Sequence, residues 1–206
     1  MALLHHTFQG KEGVEHTAAK VMVMTYYGAK ELADSFRTVR KNTITIAEEI
    51  GEQHYGFRAT PDTRTVAQML THIAVAPKMA EQIHGVERRT TMEGFDFPGF
   101  LGKIIAEEQQ GRGKAEIVAL LRSEGDRLAK WMEGLSDDFL AVQVMFPAGM
   151  TPPSKSRFEM LLGTKEHEMH HRAQLMLIER MIGVVPHMTR EMQARMAAMQ
   201  ATKASA

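Results

Sequence analysis

The sequence contains no cysteine among its 206 residues. Disulfide bonds and thiolate metal sites are therefore excluded, and a bound metal ion would need histidine and carboxylate ligands. The charge is also balanced, because 25 Lys and Arg side chains are matched by 25 Asp and Glu side chains. Nucleic-acid-binding proteins normally concentrate basic residues on one surface, so this balance argues against nucleic acid as a partner.

Long hydrophobic runs are absent as well. No segment approaches the roughly 18 apolar residues that a membrane-spanning helix needs. The N-terminal stretch MALLHHTFQGKEGVEH lacks the basic and apolar regions of a signal peptide. We therefore expect a soluble, cytoplasmic protein without a membrane partner. Its length suits one domain over residues 1–206, with an irregular arm at about residues 1–20.

Strand signals are scarce, and the run from Val142 to Phe146 is the best candidate. Helical periodicity is widespread. The principal helices are predicted at about Tyr27–Ile50, Thr65–Gly85, Lys114–Glu133 and Ser156–Gly183. A shorter helix is expected near Leu101–Gln109, and a last, Met-rich helix at about 189–200. This pattern predicts an all-α fold, a four-helix bundle with a short extra C-terminal helix.

Local signals mark several helix boundaries. Thr65-Val66-Ala67-Gln68 and Ser156-Arg157-Phe158-Glu159 both fit the capping box that begins a helix. Gly183 and Pro186 provide a stop for the fourth principal helix. Pro77 lies inside the second, and we expect a kink there because proline removes a backbone donor.

Three histidines are predicted to face the interior of this bundle. A helix advances about 100° per residue, which puts His167 and His171 in the middle of one apolar stripe and His72 in another. On the same wheel His170 lies at the edge of its stripe and Glu168 turns away. A buried imidazole without a partner costs roughly 1–3 kcal/mol, so a ligand shared by three rings is the simpler explanation. Histidines at i and i+4 are close enough to converge on one ion.

Two alternatives compete with a shared metal site. Each ring on its own could be an ordinary core histidine that satisfies its hydrogen bonds locally. The letters from His167 to His171 also fit H-E-x-x-H, the pattern of a zinc protease with Glu168 as general base. That protease would need a third ligand downstream, where Glu191 is the only convenient carboxylate. It would also need a sheet edge to bind peptide, and the scarcity of strands disfavours it.

Two runs of the sequence resemble the DinB/YfiT-like superfamily. They are GFRATPDTRTVAQMLTHI and LLGTKEHEMHHRAQLMLIERMIGVVP, and the resemblance extends over roughly residues 24–186. It implies a four-helix bundle with up-down-down-up connectivity and a divalent metal ion, usually nickel or zinc. The ligands carried over are His72, His167 and His171, the same three that the helical positions select. Where the family commonly has H-R-G-Q, this chain has Ala173 in place of the glycine.

The resemblance also implies the chemistry. It suggests a metal-dependent hydrolase or thiol transferase that acts on a small molecule, with a low-molecular-weight thiol as a cosubstrate in the second case. No general base is evident, and Glu168 and His170 are candidates only because they lie close to the ligands. A non-catalytic stress-response or binding protein with a structural metal site is the alternative.

A homodimer is expected from the outer face of the fourth principal helix. Met169, Ala173 and Met176 lie opposite the histidines, where a monomer should be polar. Packing of the C-terminal helix on this face would explain the same pattern.

Overall fold

The computed structural model describes residues 27–204, and the arm predicted at about residues 1–20 lies outside them. The helices are α1 (Ala29–Glu49), α2 (Val66–Val75), α3 (Lys78–Ala80), α4 (Phe97–Glu108), α5 (Lys114–Glu133), α6 (Asp137–Ala141), α7 (Arg157–Met181) and α8 (His187–Ala204). Two short antiparallel strands, β1 (Gln143–Met145) and β2 (Ser154–Ser156), form a hairpin. Within this part of the chain, no helix combines the length and the apolar character that crossing a bilayer requires.

The predicted fold class is confirmed. Helices α1, α2, α5 and α7 pack on one another as a four-helix bundle, and α8 follows as the extra C-terminal helix. The boundaries of α5 agree with the prediction, and the strand candidate is confirmed as β1. The helix expected near Leu101–Gln109 begins earlier, because the Asp96 carboxylate accepts a hydrogen bond from the Gly99 N–H at 2.9 Å and caps it.

Both predicted capping boxes are present at the starts of the histidine-bearing helices. In α2 the Thr65 hydroxyl accepts from the Gln68 N–H at 3.2 Å, and the Gln68 side chain accepts from the Thr65 N–H at 2.9 Å. In α7 the Ser156 hydroxyl accepts from the Glu159 N–H at 3.2 Å, and the Glu159 carboxylate accepts from the Ser156 N–H at 2.7 Å. These reciprocal bonds fix where each helix starts, and so which residues share its inner face.

The helical rod that contains α2 is interrupted at Pro77, as predicted. Helix α2 ends at Val75, α3 begins at Lys78, and a π-helical turn over Glu81–Val86 completes the rod. Because Pro77 has no N–H, the carbonyl of Ile73 loses the donor that a regular α-helix would supply.

A guanidinium from another helix takes that vacant place. Nη2 of Arg40, in α1, donates to the Ile73 carbonyl at 3.1 Å, and Nη1 donates to the Leu121 carbonyl of α5 at 2.8 Å. Nε and Nη2 each donate at 2.9 Å to the two carboxylate oxygens of Glu168 in α7. The Arg40–Glu168 pair therefore connects all four bundle helices. A Cβ at Gly125 would lie 2.7 Å from Arg40 Cγ, so the glycine leaves room for the side chain.

Apolar side chains fill the bundle in two clusters. One contains Ile46, Leu70, Ile117, Leu121 and Leu175, and the other contains Leu32, Phe36, Leu128, Met132 and Leu161. Along α1 and α7, the Arg40–Glu168 pair falls between the two clusters. Both side chains are almost fully buried, with Arg40 4% and Glu168 1% exposed. The pair is thus a polar layer between two apolar layers.

Replacing Glu168 with Gln is expected to lower the free energy of unfolding by about 3–5 kcal/mol, because it leaves the Arg40 charge buried without a counter-ion. Urea denaturation would measure the loss. The control is Glu166→Gln, an exposed site on the same helix, where a change within about 0.5 kcal/mol is expected. Equal, small effects of the two substitutions would contradict the proposed weight of the Arg40–Glu168 pair.

A second buried carboxylate lies near the end of α7. Glu179 is fully buried, and neither of its carboxylate oxygens has a hydrogen-bond partner among residues 27–204. Burial, followed by the negative charge of Glu49, raises the pKa of Glu179 to about 7. Arg190 of α8 pairs with Glu49 at 2.5 Å and leaves Glu179 unpaired.

This burial predicts a pH-dependent stability. Because the folded pKa of Glu179 exceeds its ordinary value of 4.5, the folded state favours the protonated acid. Stability should fall as the pH rises through about 7, by up to about 3 kcal/mol. Glu179→Gln should therefore be clearly more stable than the wild type at pH 8, with a smaller gain at pH 5. Thermal unfolding at both pH values measures this, with the exposed Glu191→Gln as control; a gain independent of pH would contradict the account.

Candidate metal centre

Three imidazoles from two helices meet inside the bundle. Nε2 of His167 lies 3.3 Å from Nε2 of His72 and 3.1 Å from Nε2 of His171. One ring nitrogen from each residue falls within 4.8 Å of the others. His72 and His171 are each 7% exposed, whereas His167 is more open to solvent. These residues form the three-histidine group, which is the set that sequence reasoning selected.

The outer nitrogens of two of these rings are held by acceptors. Nδ1 of His72 lies 2.8 Å from the Glu108 carboxylate, and Nδ1 of His171 lies 2.8 Å from the Gln174 side-chain oxygen. Because these oxygens accept hydrogen bonds, each Nδ1 carries the hydrogen and each Nε2 presents its lone pair to the group. The Glu108 carboxylate is in turn held by Arg64, whose Nε donates to it at 2.7 Å.

Electrostatics keep the three-histidine group neutral. Burial lowers the pKa of His72 and of His171, and it lowers the pKa of His167 to about 4, with His171 and His72 adding to the shift. A single hydrogen on His167 Nε2 cannot point at both neighbouring rings, whereas one cation would satisfy all three nitrogens. Ligands about 2.0–2.1 Å from one ion lie roughly 3.0–3.4 Å apart, so the observed spacing fits a shared ion.

The other sequence candidates lie outside this group. Glu168 turns away from the histidines toward Arg40 and is fully engaged there, so its position gives no support to a role as general base. His170 is exposed, with its ring centre 5.1 Å from that of His171 and its Nε2 3.3 Å from Gln174 Nε2. Glu191, the downstream ligand that a zinc protease would need, is exposed on α8.

Sequence reasoning missed the carboxylate that orients His72. Glu108 is 8% exposed and lies one helical turn after the buried Ile104, on the inner face of α4. A carboxylate at i+4 from a core position was the available signal. Its pairing with His72 could not be read from spacing, because α4 and α2 meet only through the tertiary fold.

An apolar pocket of about 370 Å³ opens beside the three-histidine group, and His72 and His167 form part of its wall. The rest of the wall comes mostly from apolar side chains of α2–α3, α4 and α7, including Ala76, Ile83, Phe97, Phe100, Ile104 and Met160. None of the described residues that line it is Asp, Glu, Lys or Arg. The pocket therefore suits an uncharged, largely apolar molecule, since a buried charge would have no counter-ion there.

A four-helix bundle with three inward-facing histidines at a pocket defines the class of this protein. The family model described as the DinB superfamily matches residues 35–175. The chain therefore belongs to the DinB superfamily, which confirms the resemblance inferred from the sequence. No curated protein matches the chain.

Several solved structures share the fold. YfiT from Bacillus subtilis, described as a "probable metal-dependent hydrolase with an unusual four-helix bundle topology", is 14% identical, with a TM-score of 0.59 over 86% of this chain and 94% of that one. The DinB-like protein YjoA of Bacillus subtilis is 16% identical, with a TM-score of 0.53 over 74% and 92%. The Sibling Lethal Factor Precursor DfsB is 13% identical, with a TM-score of 0.57 over 78% and 100%. At these identities the likeness establishes the fold alone.

Proposed function

We propose that this chain is a divalent-metal-dependent enzyme that acts on a small, largely apolar molecule, with His72, His167 and His171 as the ligands of the ion. The observation that carries the proposal is the convergence of three Nε2 atoms in the wall of an apolar pocket. An imidazole set without thiolate suits zinc or nickel, and these are the metals that we propose.

The surroundings of the group support this assignment. Metal-binding histidines usually donate their other N–H to a carboxylate or carbonyl oxygen, which fixes the ring and raises its basicity. Glu108 and Gln174 supply such oxygens to His72 and His171. Three protein ligands leave coordination positions open, which is the arrangement of catalytic sites. When bound, such an ion lowers the pKa of a coordinated water or thiol and polarises a carbonyl group.

The side chains of the chain itself then have separate tasks. Arg64 and Glu108 hold His72 in one tautomer, and the apolar wall binds the body of the substrate and excludes water. His170 is the sequence candidate that keeps a role in proton transfer, because its exposed imidazole contacts Gln174, which holds His171. Glu168 acts on the fold through Arg40.

Two reaction types compete. Hydrolysis is supported by the description of YfiT as a probable metal-dependent hydrolase. Transfer of a low-molecular-weight thiol is favoured by the lack of a carboxylate base among the described residues that line the pocket. A thiol, with an ordinary pKa of about 8.5, needs far less help to ionise than water at about 15.7.

Metal content tests the ligand assignment. The wild type, loaded with zinc or nickel and passed through a desalting column, is expected to retain about one ion per chain. His72→Ala and His171→Ala should each lower the affinity at least tenfold, because two imidazoles remain. The matched control His170→Ala should retain the ion, since His170 lies outside the three-histidine group. Elemental analysis by plasma emission measures all four proteins, and equal metal content in all of them would contradict the assignment.

The same preparations separate the reaction types. An apolar ester offered alone reports hydrolysis, and an apolar electrophile offered with a low-molecular-weight thiol reports transfer. A chelator should abolish whichever activity is found. If it lowers the melting temperature while neither activity is detectable, the metal site is structural and the protein is a binding protein.

We also propose a homodimer, on the strength of an exposed apolar stripe on α7. Met169, Leu177 and Met181 are 39%, 60% and 50% exposed, and Ala173 completes the i, i+4 spacing. Met176, which the sequence assigned to this face, instead packs partly buried against the core. Patches of this kind on a soluble chain commonly mark interaction surfaces.

Light scattering at several concentrations should give twice the monomer mass for the wild type. Leu177→Glu should shift the protein toward the monomer, because it buries a charge in the proposed contact. The control Met150→Glu changes a comparably exposed apolar residue elsewhere and should leave the mass unchanged. A monomeric wild type would overturn the dimer without affecting the metal site.

A further inference from the structure

A fourth histidine lines the same pocket. His84 is 1% exposed and lies in the pocket wall together with His72 and His167. Its Nδ1 has no hydrogen-bond partner among the described residues. An unpaired buried polar group costs roughly 1–3 kcal/mol, and the side chain of His84 is not needed to fill a bond anywhere in the described fold. A ligand in the pocket would supply the missing partner.

The backbone at His84 is unusual as well. The residue lies in the π-helical turn Glu81–Val86. A regular α-helix would place His84, twelve residues after His72 (84 minus 72), about 120° around the axis from it. A π turn closes i to i+5 and so advances less per residue, which rotates His84 back toward the pocket face. Such turns are found frequently at functional sites.

Packing from α5 fits this turn closely. A Cβ at Gly85 would lie 3.3 Å from the Trp131 ring, so the glycine lets the turn approach that side chain. The polarity at this end of the pocket is that of a neutral ring, because burial, followed by the charge of Arg157, lowers the pKa of His84 to about 4. A neutral imidazole offers one hydrogen-bond donor and one acceptor.

We propose that His84 is a specificity-determining residue that hydrogen-bonds an uncharged polar group, such as a hydroxyl or carbonyl, on a ligand with an apolar body. The ligand's other end would reach the three-histidine group, and this part rests on the proposed function. His72 and His84 lie roughly 18 Å apart along the rod if it is taken as straight, at 1.5 Å per residue. An elongated molecule therefore fits better than a compact one.

The role of His84 can be tested with two neutral probes that differ by one hydroxyl, hexylbenzene and 6-phenylhexan-1-ol. Isothermal titration of the full-length wild type should show the alcohol binding about tenfold tighter, although it is the less hydrophobic molecule. His84→Leu should abolish this preference, because leucine fills the space without a polar atom. His84→Gln should restore part of it, which a purely structural role of the histidine would not predict.

Thr164→Val provides the matched control within the same pocket wall. The Thr164 hydroxyl already donates to the Met160 carbonyl at 3.5 Å, so its loss should leave the preference for the alcohol unchanged. His84→Leu should fold at least as stably as the wild type, because it removes an unpaired buried nitrogen. A preference that survives in His84→Leu, or that Thr164→Val removes equally, would overturn the proposal, as would failure of both probes to bind the wild type.

Repeating the titrations after chelation separates this inference from the proposed function. The His84 contact does not depend on an ion, so the preference for the alcohol should persist in the chelated protein. Failure of the metal assignment would leave this result in place. Loss of the preference in the metal-loaded protein, with its metal content intact, would overturn the role of His84 alone.

Discussion

The guanidinium of Arg40 fixes how the four bundle helices sit on one another. It bonds to Glu168 in α7, to the Ile73 carbonyl in α2 and to the Leu121 carbonyl in α5. A buried charge is tolerated only when such bonds are nearly complete, so a shifted register would leave it unpaired at high cost. Glu168 is adjacent in sequence to His167, and Ile73 is adjacent to His72. The same contacts therefore set the distance between imidazoles that come from different helices.

Polar contacts of increasing exposure surround the three-histidine group on one side, and an apolar pocket borders it on the other. Glu108 and Gln174 orient the rings of His72 and His171, while Arg64 and His170 make the next contacts outward. This arrangement separates two requirements of a reactive site. The ring nitrogens are held rigidly, and the space in front of them is left apolar for a ligand.

Much of this could be predicted from the sequence, because periodicity and capping are local. The wheel put His72, His167 and His171 on inner faces, and the capping boxes at Thr65 and Ser156 fixed the helices that carry them. Partners from other segments could not be predicted. Glu168 was considered as a general base because of its neighbours in sequence, whereas its function in the fold depends on Arg40, 128 positions away. The orientation of His84 depends on a π turn, which the helical period does not encode.

The central claim is that two helices, held in register by the Arg40–Glu168 pair, present three imidazole nitrogens to one ion. The most direct measurement is anomalous diffraction at the metal absorption edge from crystals of the zinc- or nickel-loaded protein. The account predicts one strong peak within about 2.0–2.2 Å of Nε2 of His72, His167 and His171. A peak bound by other residues, or well-ordered imidazoles with no peak between them, would contradict it.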